Sequence, residues 1–240
     1  GVIGGAFGIF KDLSYGREIE RRMQHLGSLA AIGQLAAGTA HEIRNPLTTI
    51  KGFAQLIHSR AIKQEDCIIQ EYCNFITQEI DHLNKIVSEF LALSRPRAKD
   101  FAELDIVLAI NEVIAFIYGE AVLLDISIIH NLPDKPVLVF ANKENLKEVL
   151  INICRNAFQA MQPGGTLTIL AEETDDNATI TLTDTGCGMT SEVLPHIFKP
   201  FFTTKEHGTG LGLSICERII TEHNGSLHVT SRPGSGSTFA

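Results

Sequence analysis

The chain has 240 residues, 44% of them apolar and 20% charged, enough for one large domain or two modest ones with real cores. That composition excludes disordered, collagen-like and low-complexity classes. Twenty Lys and Arg against 28 Asp and Glu leave a net charge of −8, which excludes broad binding to nucleic acid or anionic membrane, so any anionic ligand must be held by local groups.

In chain order, the opening GVIGGAFGIF reads as a strand. It is too short to span a bilayer and lacks the basic start of a signal peptide. With no initiator Met before it, the expectation is a piece cut from a longer parent. Residues 17 to 60 then read as one long helix. Leu26, Leu29, Gly33, Ala36, Ala40, Ile43, Leu47, Ile50, Ala54 and Ile57 step by three and four without a break, the seam of a helical bundle. Ser59 to Gln64 is the expected turn, and Ile69, Tyr72, Ile76, Ile80, Leu83, Val87 and Phe90 carry a second helix. One hairpin of this width leaves apolar surface uncovered, which predicts a homodimer that closes a four-helix bundle.

SRPRAKD at 94–100 breaks the pattern and sets the domain boundary. Beyond it, helices are expected over 107–121, 143–161 and 211–223, and strands over 126–130, 137–140, 166–171, 178–183 and 226–231. Elements in clusters without regular βαβ alternation predict an α+β sandwich, one helical layer on a mostly antiparallel sheet. Cysteines 67, 73, 154, 187 and 216 form no CxxC pair and are odd in number. They read as reduced cytosolic thiols with no disulfide framework and no zinc site.

His41, in HEIRNPL, lies one place off the first seam and therefore faces solvent. A lone helical histidine is ordinarily a plain surface residue, but its neighbours are suited to chemistry. Glu42 can accept the Nδ1 proton and leave Nε2 as a nucleophile. Asn45 shares the face one turn on and can hold a water. Pro46 cannot donate to the carbonyl of Glu42, so a kink is expected there. From 41 to 63, Arg44, Lys51, Arg60 and Lys63 stand against Glu42 alone, a local charge of +3 that suits an acidic partner or a phosphoryl group, or is simply a solvated face.

In EVLINICRNAFQAM, Asn152 and Asn156 are four apart on an otherwise apolar helix. Burying either amide unpaired would cost roughly 1–3 kcal/mol, so each needs a partner: a magnesium ion, phosphate oxygens or a neighbouring loop. DTGCGM follows a strand, and Gly186 and Gly188 let the backbone approach a flat ligand while Asp184 offers an acceptor to an exocyclic amine such as that of adenine. In HGTGLGL, glycines lead into a helix whose N–H groups can meet a triphosphate, with Lys205 as a movable counter-charge. Leu213 stands where a dinucleotide fingerprint needs glycine, and no GxxxxGK[ST] loop occurs.

In this order, HEIRNPL, the Asn152–Asn156 run, DTGCGM, FKPFF and GTGLGL resemble the motifs of bacterial two-component sensor histidine kinases over about residues 25 to 240. NAFQAM with FFTTK is similar, more narrowly, to the nitrogen-regulation and sporulation type, such as a Bacillus-like sporulation kinase. The resemblance implies that 1–16 is the last strand of a PAS-like sensor module, 17–97 a dimerisation and histidine-phosphotransfer hairpin, and 98–240 an ATP-binding domain. It implies that His41 Nε2 attacks the γ-phosphate of ATP, with Glu42 as base and Asn45 positioning water for a phosphatase reaction. Asn156 would be the main magnesium ligand with Asn152 beside it, and Asp184 would recognise adenine. Gly186, Gly188, Lys205, Gly208, Thr209, Gly210, Leu211 and Gly212 would complete the nucleotide site. Many such kinases carry a basic residue where this chain has Gln159, which leaves Lys205 and Arg155 both open as the cation on the phosphates.

The implied partners are a second copy of the chain and a response-regulator receiver docking near the +3 patch. A small inhibitory protein able to grip the hairpin belongs to the same expectation, and nucleic acid does not. The expected place is the cytoplasm, with membrane attachment of the parent left open. Two other readings compete with this one. A gyrase-like ATP hydrolase would need a glutamate four residues before the magnesium asparagine, and Asn152, which is no general base, stands there. A nucleotide-switched docking module would not need the intact His41–Glu42 pair.

Overall fold

The computed structural model describes residues 43–94, 100–161, 163–174, 177–205 and 208–240. The strand expected at 1–16, the first half of the long helix, and His41 and Glu42 lie outside the described residues. The chain divides into two compact units between Pro96 and Arg97.

The first unit is a helical hairpin. Helix α1 is described over 43–63 and α2 spans Cys67–Ser94. The turn expected at 59–64 falls later, because nothing in Ser59–Lys63 stops a helix and Ala61 is needed inside, where it is buried. Glu65 takes φ 55°, with its N–H donating to Ile62 O at 3.2 Å and that of Asp66 to Ala61 O at 3.0 Å. These two bonds are a Schellman closure that normally calls for glycine. Asp66 Oδ1 then accepts from Ile69 N at 3.0 Å and caps α2. The single seam read from the sequence divides in two. Ala54 and Ala61 turn inward with Cys73 and Ile80, while Ile43, Ile50 and Ile57, seven residues apart, stay about half exposed at 45%, 50% and 52%. Lys51 is ion-paired to Asp81 of α2, so one of the four cations of the basic stretch is already neutralised.

The second unit is an α/β sandwich. Its strands are β1 Ala102–Asp105, β2 Ile126–Asn131, β3 Leu138–Ala141, β4 Gly165–Glu173, β5 Ala178–Asp184, β6 Val229–Ser231 and β7 Ser237–Phe239. Its helices are α3 Ile106–Leu123, α4 Lys143–Ala160 and α5 Gly212–Glu222. The main sheet runs β2-β4-β5-β7-β6, with only the β2–β4 pair parallel, while β1 and β3 form a separate antiparallel pair. Helix α4 packs between α3 and α5 and over β4 and β5. Leu167, Ile169 and Ala171 alternate along β4 on the buried side, as a one-sided sheet requires. Helix α3 is long and apolar enough by composition to cross a membrane, yet Ile106, Ala109, Ile110, Val113, Ile117 and Ala121 are buried in this unit. It is a core helix.

One strand was not expected: β1, with the unpatterned sequence AELD, forms because it pairs with β3. The strand read at the GSTFA end is β7, which lies between β5 and β6. The last strand before it is shorter than 226–231, starting at Val229. Local chemistry fixes the ends that frame the site. Asp105 Oδ1 accepts from Val107 N at 2.9 Å and from Val137 N at 3.2 Å, tying the start of α3 to the lead-in of β3. His223 Nδ1 donates to Ile219 O at 2.7 Å while its Nε2 accepts from Asn142 N at 3.0 Å, which sets the neutral tautomer and ties the end of α5 to the start of α4.

Candidate active site

Helix α4 has two faces of different chemistry. Val149, Leu150, Ile153, Cys154, Ala157 and Phe158 are buried, and burial pushes the Cys154 thiol up to about 12, so it is packing and not a nucleophile. Asn152, Asn156 and Gln159 lie on another stripe at steps of four and three. Three successive turns of that stripe meet three different segments. Asn152 Oδ1 lies 4.0 Å from where a Cβ on Gly212 would stand, so it faces the start of α5. Asn156 Oδ1 accepts from Lys205 Nζ at 2.8 Å. Ala160 O accepts from Cys187 N at 3.0 Å and packs against Gly186. At 1.5 Å rise per residue these contacts span about 12 Å along the helix.

At one end of this line is Asp184, buried at the last residue of β5, with Oδ1 accepting from Gly186 N at 2.7 Å. Burial raises its carboxyl above the ordinary 3.8, while backbone bonds from Gly186 and Ser237 pull the other way. Two N–H bonds leave acceptor capacity on a carboxylate, so Asp184 can still take an amine hydrogen. The loop after it is fastened at both sides. Cys187 O accepts from Gly234 N at 2.7 Å and Met189 N donates to Ser231 Oγ at 2.8 Å. Gly188, at φ 64°, passes so close to Arg232 that a Cβ would stand 2.0 Å from its carbonyl oxygen, so no other residue fits.

At the other end α5 starts at Gly212 without a side-chain cap, leaving first-turn N–H groups to an anion. Leu211 is fully buried, so only its backbone can serve a ligand; Thr209 Oγ1 accepts from Leu211 N at 3.3 Å. Gly210, at φ 68°, lets the chain lie against Phe201, where a Cβ would be 2.4 Å from the Phe201 carbonyl carbon. Phe201 is itself left-handed at φ 65°, a conformation that costs a non-glycine residue about 1–2 kcal/mol.

The structure also separates the two cations that the sequence left open. Arg155 Nε donates to Glu120 Oε2 at 3.2 Å and its guanidinium lies 5.9 Å from the Phe116 ring centroid, on the α3 side. Lys205 is the one on the asparagine face, and Gln159 Oε1 accepts from it as well. In the sequence Gln159 stands out only as a departure; its position three after Asn156 is the signal that it shares the face. Gly208 lies against the Thr203 hydroxyl in the turn that carries Lys205. Asn45 is exposed on α1 of the hairpin, and its carbonyl accepts from Thr49 Oγ1 at 3.1 Å.

Residues 141–240 match the family model described as histidine kinase-, DNA gyrase B- and HSP90-like ATPase, and residues 31–99 match the His kinase A phospho-acceptor domain. An ATPase-type sandwich joined to a phospho-acceptor hairpin defines the class of protein histidine kinases. The chain is 39% identical over 98% of its length to the signal transduction histidine-protein kinase AtoS of Escherichia coli, and 42% identical over 91% to sporulation kinase D of Bacillus subtilis. Among solved structures it is similar to histidine kinase ThkA in complex with response regulator protein TrrA, at 30% identity and TM-score 0.65, over 96% of this chain and 66% of that one. This chain belongs to the sensor histidine kinases. It spans 38% of AtoS and 43% of sporulation kinase D, less than half of either relative.

The raised carboxyl of Asp184 has a signed consequence. The folded chain binds a proton there that the unfolded chain has released, so this group's contribution to stability is full below pH 3.8 and lost as pH rises through the folded value. Only the ionised form offers every oxygen lone pair to an amine donor. If that donor is adenine, as the resemblance implies, adenine-nucleotide affinity should fall on the acid side, starting at a pH above the ordinary 3.8, while Asp184→Asn should bind weakly without that acid limb. Titration of a fluorescent ADP analogue across pH measures both.

Proposed function

We propose that this chain phosphorylates its own His41 from ATP and passes the phosphoryl group to an aspartate of a response-regulator receiver. The observation that carries the reading is the single stripe of α4 that faces the α5 start, Lys205 and the Asp184 loop in turn. It supports an adenine end at Asp184 and a phosphate end at the glycines preceding α5. The ThkA–TrrA complex supports the receiver as partner.

The nucleophile is His41 Nε2, with Glu42 accepting the Nδ1 proton. The N–P bond forms as the bond from Pγ to the bridging oxygen breaks, and ADP leaves with that electron pair. A receiver aspartate oxygen then attacks the same phosphorus and the imidazole leaves. Asn45 would hold the water that hydrolyses the receiver's acyl phosphate. Asn156 and Asn152 would hold magnesium, which when bound supplies charge neutralisation at the phosphates. Their fit is supported by the ammonium already seated on Asn156 Oδ1, a stand-in cation. Asn152 also supports transfer over hydrolysis, since an amide cannot activate water as a base. The test is incubation with γ-labelled ATP. Labelled protein that loses its phosphate in acid and keeps it in alkali carries a phosphoramidate; rapid phosphate release without labelling would refute transfer.

We place the dimerisation and phosphotransfer hairpin at 17–97, the ATP-binding domain at 98–240 and the end of a PAS-like module at 1–16. The homodimer is supported by Ile43, Ile50 and Ile57. Burying their exposed halves contributes roughly 1 kcal/mol apiece, gained on both chains. Light scattering at micromolar concentration should give twice the chain mass, and a monomeric mass would refute the dimer. The receiver would dock near Arg44, Arg60 and Lys63, where a small inhibitory protein would compete with it. Five free thiols support a reducing, cytoplasmic setting.

A further inference from the structure

Lys205 belongs to the long connection from β5 to α5, yet its ammonium lies on α4, 2.8 Å from Asn156 Oδ1 and in hydrogen-bond contact with Gln159 Oε1. A tight turn aims it there: Lys205 N donates to Thr203 Oγ1 at 3.1 Å and Gly208 N donates to Lys205 O at 3.2 Å. Asn156 and Gln159 are three apart on one helix face, so one ammonium reaches both acceptors. Gln159 is exposed and lies off the buried face of α4, so its carbonyl serves this contact and not the core.

The ammonium occupies the oxygen that the proposed reading gives to magnesium. Two cations on one amide oxygen repel, and a neutral amide cannot offset that repulsion. Seating the metal therefore means moving the lysine. We propose that Gln159 is a positioning residue that clips Lys205 onto the Asn156 amide, a latch that magnesium must displace and whose release frees the ammonium for the phosphates. This inference rests on the nucleotide reading above. It makes the apparent metal requirement depend on a residue that touches neither metal nor nucleotide.

The test uses the full chain with Gln159→Leu, which removes the acceptor, and Gln159→Glu, which keeps it. Trypsin takes the lysine ammonium into its own pocket, so cleavage after Lys205 needs the latch open. In nucleotide-free protein, the peptide ending at Lys205, quantified by mass spectrometry, should appear about threefold faster in Gln159→Leu, the scale of one exposed charge-assisted contact. Gln159→Glu should be no faster than the parent chain. The magnesium concentration for half-maximal binding of a fluorescent ADP analogue should fall about two- to threefold in Gln159→Leu on the same scale. An unchanged tryptic rate in Gln159→Leu overturns the latch. So does a raised magnesium midpoint, which would mean that Gln159 serves the loaded site. Failure of the unsubstituted chain to bind nucleotide at any magnesium concentration overturns the nucleotide reading and the metal exchange together.

Discussion

His41→Gln should leave the protein unlabelled by γ-labelled ATP at every time point, while its affinity for ADP and its mass by light scattering stay those of the unsubstituted chain. The substitution is chosen for what it keeps. Glutamine is a good helix former and has nearly the reach of histidine, so the helix expected around 41 is not disturbed. What it loses is the lone pair: an amide nitrogen shares its pair with the carbonyl and cannot form the N–P bond. Because the side chain is itself the proposed acceptor, no slower route to the same product remains, and the effect should be complete. In the proposed reading nucleotide is held by the other unit, through Asp184, the α4 stripe and the α5 start, none of which His41 belongs to in sequence. Residual acid-labile label in this variant would place the acceptor on another histidine. Loss of ADP binding along with label would mean that the substitution acts through folding.

The helices of this chain were legible because their periodicity is strong. Val149, Leu150, Ile153 and Ala157 announce the buried face of α4, so the amides at 152 and 156 stood out as polar groups needing partners. The glycines were legible as close approaches, and Gly188 and Gly210 are both places where a Cβ has no room. The hairpin turn starts five residues later than expected because Glu65 performs the left-handed closure that sequence rules assign to glycine. β1 was missed because AELD has no alternation of its own and exists by pairing with β3, 39 positions away at Ala102↔Ala141. The seat of Lys205 was illegible for a related reason. Its partner is 49 residues distant, and nothing local says whether a loop lysine reaches Asn156 or swings free. Arg155 was misleading in the opposite sense: it adjoins Asn156 in sequence, but 3.6 residues per turn send it to Glu120 on the α3 side.

Asn156→Asp should bring the labelling rate to background while leaving the fold and the dimer intact. The two side chains have nearly the same shape, and Asn156 lies off the buried face of α4, so packing is unchanged. Charge is what differs. The amide takes Lys205, and would take a metal, without adding charge, whereas a carboxylate would turn the 2.8 Å contact into an ion pair that holds the ammonium in place. An exposed pair of this kind is worth up to about 1 kcal/mol, a fivefold shift towards the closed latch. The larger effect falls on the triphosphate. At roughly 5 Å and an effective dielectric of 20, two like unit charges repel by about 3 kcal/mol, some 200-fold in affinity. A carboxylate does attract magnesium more strongly than an amide. That gain accrues to the free metal as well as to the metal with nucleotide, whereas the repulsion is felt only when nucleotide enters. Binding of ADP analogue should thus weaken by about two orders of magnitude, the same estimate, and slower tryptic cleavage after Lys205 should accompany it. Labelling at the normal rate would show that Asn156 does not hold the metal, and with that the assignment of the α4 stripe to magnesium and phosphate would fall.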